Sequence, residues 1–410
     1  MRKALIYEMQ TSIFQSVELA PRDPILGLTE AFAADARPNK VNLGAGVYID
    51  DNGRIPLLRA VREAERARVE AGLPRGYLPI EGLAAYDAAV QKLLFGADSP
   101  LISAGRLVTA QALGGTGALK IGADLLKRLN PQAQVLISDP SWENHRALFE
   151  GAGFKVATYP YYDARTNGVD FGAMCAALRA APAGTIVALH ACCHNPTGVD
   201  LDATQWREVA RICKEQGLVP ILDIAYQGFG EGVDADALAA RLFADEGPPF
   251  FIASSFSKSF SLYGERVGAL TIVTGSGDES ARVLSQLKRV IRTNYSNPPT
   301  HGGSIVAAVL GDPKLRALWE EELAEMRNRI KAMRSALVNG LKARGVKRDF
   351  SFMLRQNGMF SYSGLSATQV DRLRNEFGIY AVSTGRICVA ALNSKNIDYV
   401  CDAIAAVLHD

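Results

Sequence analysis

The chain has little cysteine and tryptophan, six and three residues among 410, and no block of like charge. Thiols this sparse (Cys175, Cys192, Cys193, Cys213, Cys388 and Cys401) exclude a disulfide scaffold, and most sit among apolar neighbours, so reduced, buried thiols are expected. Lys and Arg total 45 against 43 Asp and Glu, a net charge of +2. That balance argues against a nucleic-acid or anionic-membrane surface. No apolar run approaches the ~18 residues of a membrane span. The opening Ala4-Leu5-Ile6-Tyr7 is too short for a secretory core and is interrupted by Glu8. Residues 1–22 therefore read as an extension and arm, and the expected compartment is the cytoplasm. With 48% hydrophobic and 21% charged residues, the chain has the composition of a packed core, which excludes disorder as an overall description.

The middle of the sequence alternates strand and helix signals. Apolar, β-branched runs occur at 105–111, 134–139, 154–159, 185–193, 218–226, 250–257 and 268–274. Most are continuous, as in strands covered on both faces. Helical periodicity fills gaps between them at 117–129 and 202–216. The pattern predicts a three-layer α/β domain around a mostly parallel, seven-stranded sheet. The link from 257 to 268 is short for a parallel crossover, so one antiparallel pair is expected there. Beyond 275 come helical stretches at 279–292, from His301, and over 313–343, then strand-like pieces at 349–354, 358–362 and 386–391. The tail predicts a smaller α+β domain, completed by an N-terminal segment. The expected division is 23–55 and 325–410 for the small domain and 56–324 for the large one.

Four segments carry chemistry. Ser254-Ser255-Phe256-Ser257-Lys258 continues to Tyr263-Gly264-Glu265-Arg266 and places one lysine in a hydroxyl-rich loop after an apolar strand. A poorly solvated lysine favours its neutral form and Schiff-base chemistry, and nearby hydroxyls with Arg266 suit a phosphate dianion. Ser255-Phe256-Ser257-Lys258 also matches the S-x-x-K of penicillin-recognising acyl-enzymes, but the companion S-D-N and K-T-G tripeptides do not occur. Asp223 and Tyr226 close the run at 218–226, where open α/β sheets bind ligands, and Asn195-Pro196-Thr197-Gly198 follows the run at 185–193. A carboxylate there can hold a heteroaromatic nitrogen protonated. Gly114-Gly115-Thr116-Gly117 precedes a helix whose N-terminus suits phosphate, without forming a dinucleotide fingerprint or a P-loop. Trp142, just past the strand at 134–139, can stack on a planar group or simply fill the core. His190-Ala191-Cys192-Cys193-His194 invites a zinc reading, which is set aside because strand alternation turns Cys193 away and no second ligand pair follows. No metal is expected.

With these motifs in place, the chain resembles the class I, fold type I pyridoxal-phosphate aminotransferases of the bacterial aspartate/aromatic group. The likeness runs from Asp23-Pro24-Ile25-Leu26-Gly27 to the C-terminus. The resemblance implies pyridoxal 5′-phosphate as cofactor, with Lys258 as its covalent anchor and proton shuttle. It assigns Asp223 to the pyridine nitrogen, with His145 behind it, and Tyr226 and Asn195 to the ring oxygen. Ser255, Arg266, Gly115 and Thr116 would hold the phosphate, Trp142 would stack on the ring, and Tyr77 would reach the phosphate from a neighbouring subunit. Arg386, Gly46, Asn195 and Trp142 would meet the substrate, with Arg386 on its α-carboxylate. Arg292 would cross from the other subunit to a distal carboxylate. Two residues acting in trans imply an obligate homodimer.

One departure bears on specificity. Strict aspartate enzymes commonly carry a lysine after the segment matching Gly46-Val47-Tyr48 and a threonine six residues later; here Ile49 and Ile55 stand there. Apolar side chains favour an aromatic ring, while Arg292 retains acidic substrates; Thr116 and Asn297 look like the aspartate enzymes. The expected reaction is ping-pong transamination between an aromatic or acidic L-amino acid and 2-oxoglutarate. A strict aspartate aminotransferase is the alternative, and a pyridoxal-phosphate lyase or decarboxylase a more distant one.

Overall fold

A computed structural model describes residues 12–21, 23 and 25–409. Expectations for the opening extension that fall on residues 1–11 and 22 lie outside the described residues. Seven strands build the central sheet: β1 Leu107–Leu113, β2 Gln134–Asp139, β3 Lys155–Pro160, β4 Ile186–His190, β5 Val219–Ile224, β6 Phe250–Ser255 and β7 Val267–Val273. Their spatial order is β1-β7-β6-β5-β4-β2-β3. Only β7 is reversed, antiparallel to both β6 and β1. The short link before it, whose middle holds Lys258, leaves no room for a crossover.

Strand residues divide between two cores. Leu136, Val187, Leu189, Leu222 and Ile252 pack on one side, and Val135, Ile186, Ala188, Ile221 and Phe251 on the other. Successive side chains point to opposite faces and both faces are covered, which is why the runs read as continuously apolar. Helix Ala203–Glu215 starts on a capping box between Asp202 and Gln205 and buries Trp206, Val209 and Ile212. Helix Gly114–Leu129 begins three residues before the expected start, at Gly114 itself. Helices Arg59–Glu70 and Ala84–Phe95 add to the body ahead of β1.

The tail begins with the long helix Pro313–Ala343, started by Asp312, whose side chain accepts from the Lys314 and Leu315 amides. Val41–Asn42 pairs in parallel with Ile379–Tyr380, so the N-terminal segment is stitched into the C-terminal part. Phe360–Tyr362 pairs antiparallel with Arg386–Cys388. Two strand expectations need correction. Ser351–Arg355 is a 3-10 helix, because the Asp349 carboxylate accepts from the Ser351 amide and hydroxyl, both at 2.8 Å, and turns the chain. The piece at 386–391 is a strand only to Cys388 and then a 3-10 turn over Val389–Ala391.

Candidate active site

The carboxyl ends of β1, β2, β4, β5 and β6 open on one cavity of about 890 Å³. Lys258, Asp223, Tyr226, Asn195, Trp142, Gly115, Thr116, Ser255, Arg266, Gly46 and Arg386 all line it. Residues separated in sequence meet because each loop leaves the same edge of the sheet.

Asp223 is the fifth residue of β5 and is buried; burial alone would raise its carboxyl pKa, but the hydrogen bond and charge of His145, with the charges of His190 and Lys258, hold it below the usual value. His145 lies in the first turn of helix Glu143–Gly151, and its Nε2 is 2.8 Å from Asp223 Oδ2. Ser141 Oγ bridges His145 Nδ1 at 3.0 Å and His190 Nε2 at 3.2 Å. His194 continues the cluster, with Ser138 Oγ 2.9 Å from Nε2, Thr197 Oγ1 2.8 Å from Nδ1, and Tyr161 stacked at 4.1 Å. Burial, then the charges of the neighbouring histidines, pushes His190 and His194 well below the usual imidazole value.

Lys258 follows β6, and its Nζ sits 5.1 Å from the Tyr226 ring centroid. Its pKa falls to about 8: desolvation by the cavity walls and the charge of Arg266 lower it, and Asp223 partly restores it. The Tyr226 phenol is pushed far up by burial.

At one end of the cavity, helix Gly114–Leu129 opens with no side-chain cap. A Cβ at Gly114 would lie 2.5 Å from an Arg266 Nη, and one at Gly115 would lie 3.0 Å from Ser255 Cβ. Only glycine lets these groups converge. Amide donors, hydroxyls and a guanidinium form a cradle that fits a phosphate dianion.

At another wall, buried Arg386 donates to Asn195 Oδ1 at 3.0 Å and to the Gly44 carbonyl at 2.7 Å. Its Nε has no hydrogen-bond partner among the described residues. The guanidinium carbon lies 4.3 Å from the Phe360 ring centroid, and a Cβ on Gly46 would meet that ring at 2.9 Å. Phe360, which also lines the cavity, received no role from sequence, and Ser257 figured only among the loop's hydroxyls. Phe360 sits in an unremarkable apolar stretch with no motif to mark it. Buried Arg334 holds this strand by donating to the Gly358 and Phe360 carbonyls at 2.6 and 2.7 Å.

The family model described as aminotransferase class I and II matches residues 38–404. The chain belongs to this family. Aminotransferase is therefore its enzyme class. The aspartate aminotransferase of Pseudomonas aeruginosa is 69% identical over 397 residues, 97% of this chain and all of that one. The aromatic-amino-acid aminotransferase of Escherichia coli is 54% identical over 399 residues, again 97% of this chain and all of that one. Among solved structures, the aromatic-amino-acid aminotransferase of Burkholderia pseudomallei, covalently bound to pyridoxal phosphate, is 73% identical, with a TM-score of 0.95 over 97% of this chain and 100% of that one.

Five residues singled out for a partner's site or for specificity, Tyr77, Arg292, Ile49, Ile55 and Asn297, are not among those lining this aminotransferase's own cavity. Tyr77 is 96% exposed and Arg292 is exposed, bonded to the Ser296 hydroxyl. Ile49 is half-buried against the core and Ile55 is exposed, so neither lines the pocket of its own chain. The reason for setting zinc aside also changes, because β4 ends at His190 and Cys193 takes a φ of 51°, so strand alternation does not govern 191–194. Cys192, Cys193 and Asp236 bring ligand atoms within 4.8 Å of one another. Asp236, however, spends its oxygens on the Gly228, Gly230 and Glu231 amides.

Proposed function

We propose that this aminotransferase moves an amino group between aromatic or acidic L-amino acids and 2-oxoglutarate in two half-reactions, using pyridoxal 5′-phosphate. One observation carries the reading. The low-pKa amine of Lys258 and the ionised Asp223 share a cavity between two anion sites, the uncapped helix start with Arg266 and the partly unpaired Arg386. Bound pyridoxal phosphate supplies an aldehyde for the amine and an electron-withdrawing ring that stabilises the carbanion at the substrate Cα.

The residues around it have distinct tasks. Gly115, Thr116, Ser255 and Arg266 bind the phosphate, and Trp142 covers the ring. The Asp223 carboxylate, backed by His145, would meet the heteroaromatic nitrogen and favour its protonated form. Tyr226 and Asn195 orient the ring oxygen. Arg386 binds the α-carboxylate through its planar fork, with Gly46 leaving space beside it. Lys258 Nζ would take the proton from the substrate Cα, and desolvation by the cavity walls favours the neutral amine that this task needs.

The functional unit is a homodimer in which Tyr77 and Arg292 serve the partner's site; their exposure, and their absence from the lining of their own chain's cavity, support this. A small domain of 23–55 and 325–410 accompanies a large domain of 56–324. No described helix is long and apolar enough to cross a membrane, and cytoplasmic residence fits six unpaired cysteines.

Strict aspartate transamination is the second reading, favoured by the Pseudomonas aeruginosa relative and by Ile49 and Ile55 standing off the pocket. The anchor itself is tested by treating the protein with pyridoxal phosphate and borohydride and mapping the adduct. A single adduct on Lys258, absent from Lys258→Ala, supports the reading. An adduct elsewhere, or none, overturns it.

A further inference from the structure

Gln111 is fully buried on β1, an outer strand of the sheet, opposite Ala269 of β7. Its backbone groups point away from β7, toward two segments distant in sequence. The Gln111 N–H donates to the Glu81 carbonyl at 2.8 Å, and its carbonyl accepts from the Tyr295 hydroxyl at 3.3 Å. The side chain repeats the pattern. Nε2 donates to the Pro299 carbonyl at 2.8 Å, and Oε1 accepts from the Leu83 N–H at 3.4 Å.

The same two segments are tied directly. Asn297 Nδ2 donates to the Leu78 carbonyl at 2.9 Å, and Lys288 pairs with Glu81 at 2.9 Å. Tyr77 adjoins Leu78, and Arg292 stands one turn beyond Lys288 on helix Gly277–Asn294. The space around Gln111 is closed. A Cβ at Gly82, where φ is 101°, would lie 2.4 Å from Gln111 Cβ, and one at Gly303 would lie 2.4 Å from Nε2.

We propose that Gln111 is a positioning residue that locks the loop bearing Tyr77 and the helix end bearing Arg292 into one unit, so that the phosphate contact and the distal-carboxylate contact given to the partner's site are set together. This rests on the reading that both residues act across the dimer interface. An exposed arginine on a long side chain delivers a defined geometry only from a fixed base. A buried amide bonding to both segments supplies that base without touching substrate or cofactor.

The test uses the holoenzyme dimer and Gln111→Leu, which keeps the bulk and removes the amide. Half-reaction kcat/KM is measured with aspartate and with alanine, which lacks a distal carboxylate, and the cofactor dissociation constant is measured alongside. The expected result is an aspartate loss about tenfold greater than the alanine loss, with weakened cofactor retention. In an Arg292→Leu background, Gln111→Leu should not change the aspartate-to-alanine ratio further. Equal losses for both donors with unchanged cofactor affinity, or an undiminished effect in that background, would overturn the proposal. If Gln111→Leu fails to fold, Asn297→Ala decides by the same ratio and the same background. Arg292→Leu and Tyr77→Phe alone read the underlying assignment separately: an unchanged ratio in the first, or unchanged cofactor retention in the second, defeats the interface reading whatever Gln111 does.

Discussion

His145 Nε2 lies 2.8 Å from Asp223 Oδ2, and both groups are buried. The contact joins the first turn of a helix to the end of a central strand and keeps a carboxylate ionised where burial opposes it. Asp223→Ala is expected to retain cofactor through Lys258 and the phosphate cradle while losing about a thousandfold or more in turnover. Cofactor content by absorbance and half-reaction rates measure the two separately, and near-normal rates would contradict the role given to Asp223.

The pKa of Lys258, about 8, governs how fast the cofactor-free enzyme captures pyridoxal phosphate. Its neutral form attacks, so the capture rate should rise with pH and level off above an apparent pKa of about 8. Asp223 raises that value by stabilising the ammonium form. Asp223→Asn should therefore shift the rate profile to lower pH, and stopped-flow capture across pH 6–10 reads both curves (about four units, wide enough for either midpoint). A profile still climbing at the top of that range would show an ordinary, solvated lysine.

Arg386 and Arg292 separate two carboxylate contacts. Arg386→Leu should raise KM for every amino acid about a hundredfold or more, because each carries an α-carboxylate. Arg292→Leu should penalise aspartate and glutamate far more than tyrosine. Steady-state kinetics with all three donors give the pattern, and a uniform loss in both variants would remove the distinction.

Asp87 offers a stability test away from the chemistry. Burial, reinforced by the charge of Glu81, raises its carboxyl to about 9, and its Oδ1 has no partner among the described residues. The unfolded chain ionises this group near pH ~3.9, so folding takes up a proton between that pH and about 9, and stability falls as pH rises through the window. Asp87→Asn removes this cost. Its increase in Tm should be larger at pH 8 than at pH 5 (at about one and four units above the unfolded pKa the cost differs by kilocalories). Equal shifts at the two pH values would contradict the raised carboxyl.

The sheet was legible because continuous apolar runs such as 134–139 and 250–257 require cover on both faces. The reversal of β7 followed from the short link through Lys258. The residues lining the cavity were legible wherever a motif ended a strand, as at Asp223, Asn195 and Gly115. Phe360 in that lining, and Arg334 and Gln111 away from it, were not legible, because their contacts are to partners set by the fold: the Arg386 guanidinium, the carbonyls beneath the Phe360 ring, and two segments flanking β1. Strand expectations failed at Ser351–Arg355 for a local reason, the Asp349 carboxylate accepting from the Ser351 amide two residues on and turning the chain despite an apolar pattern. Tyr77 and Arg292 carried motifs, yet a single chain leaves them facing outward.

An enzyme that exchanges amino groups reversibly with both aromatic and acidic donors must show it in its cofactor spectrum. The most direct measurement is the absorption spectrum of the cofactor-loaded enzyme, recorded alone, after tyrosine, and then after 2-oxoglutarate, with aspartate replacing tyrosine in a parallel series. The account predicts that the visible cofactor band is lost with either donor and restored by 2-oxoglutarate. A band that responds to aspartate alone would contradict aromatic donor use and leave a strict aspartate aminotransferase, and a band that responds to neither would contradict the transamination reading itself.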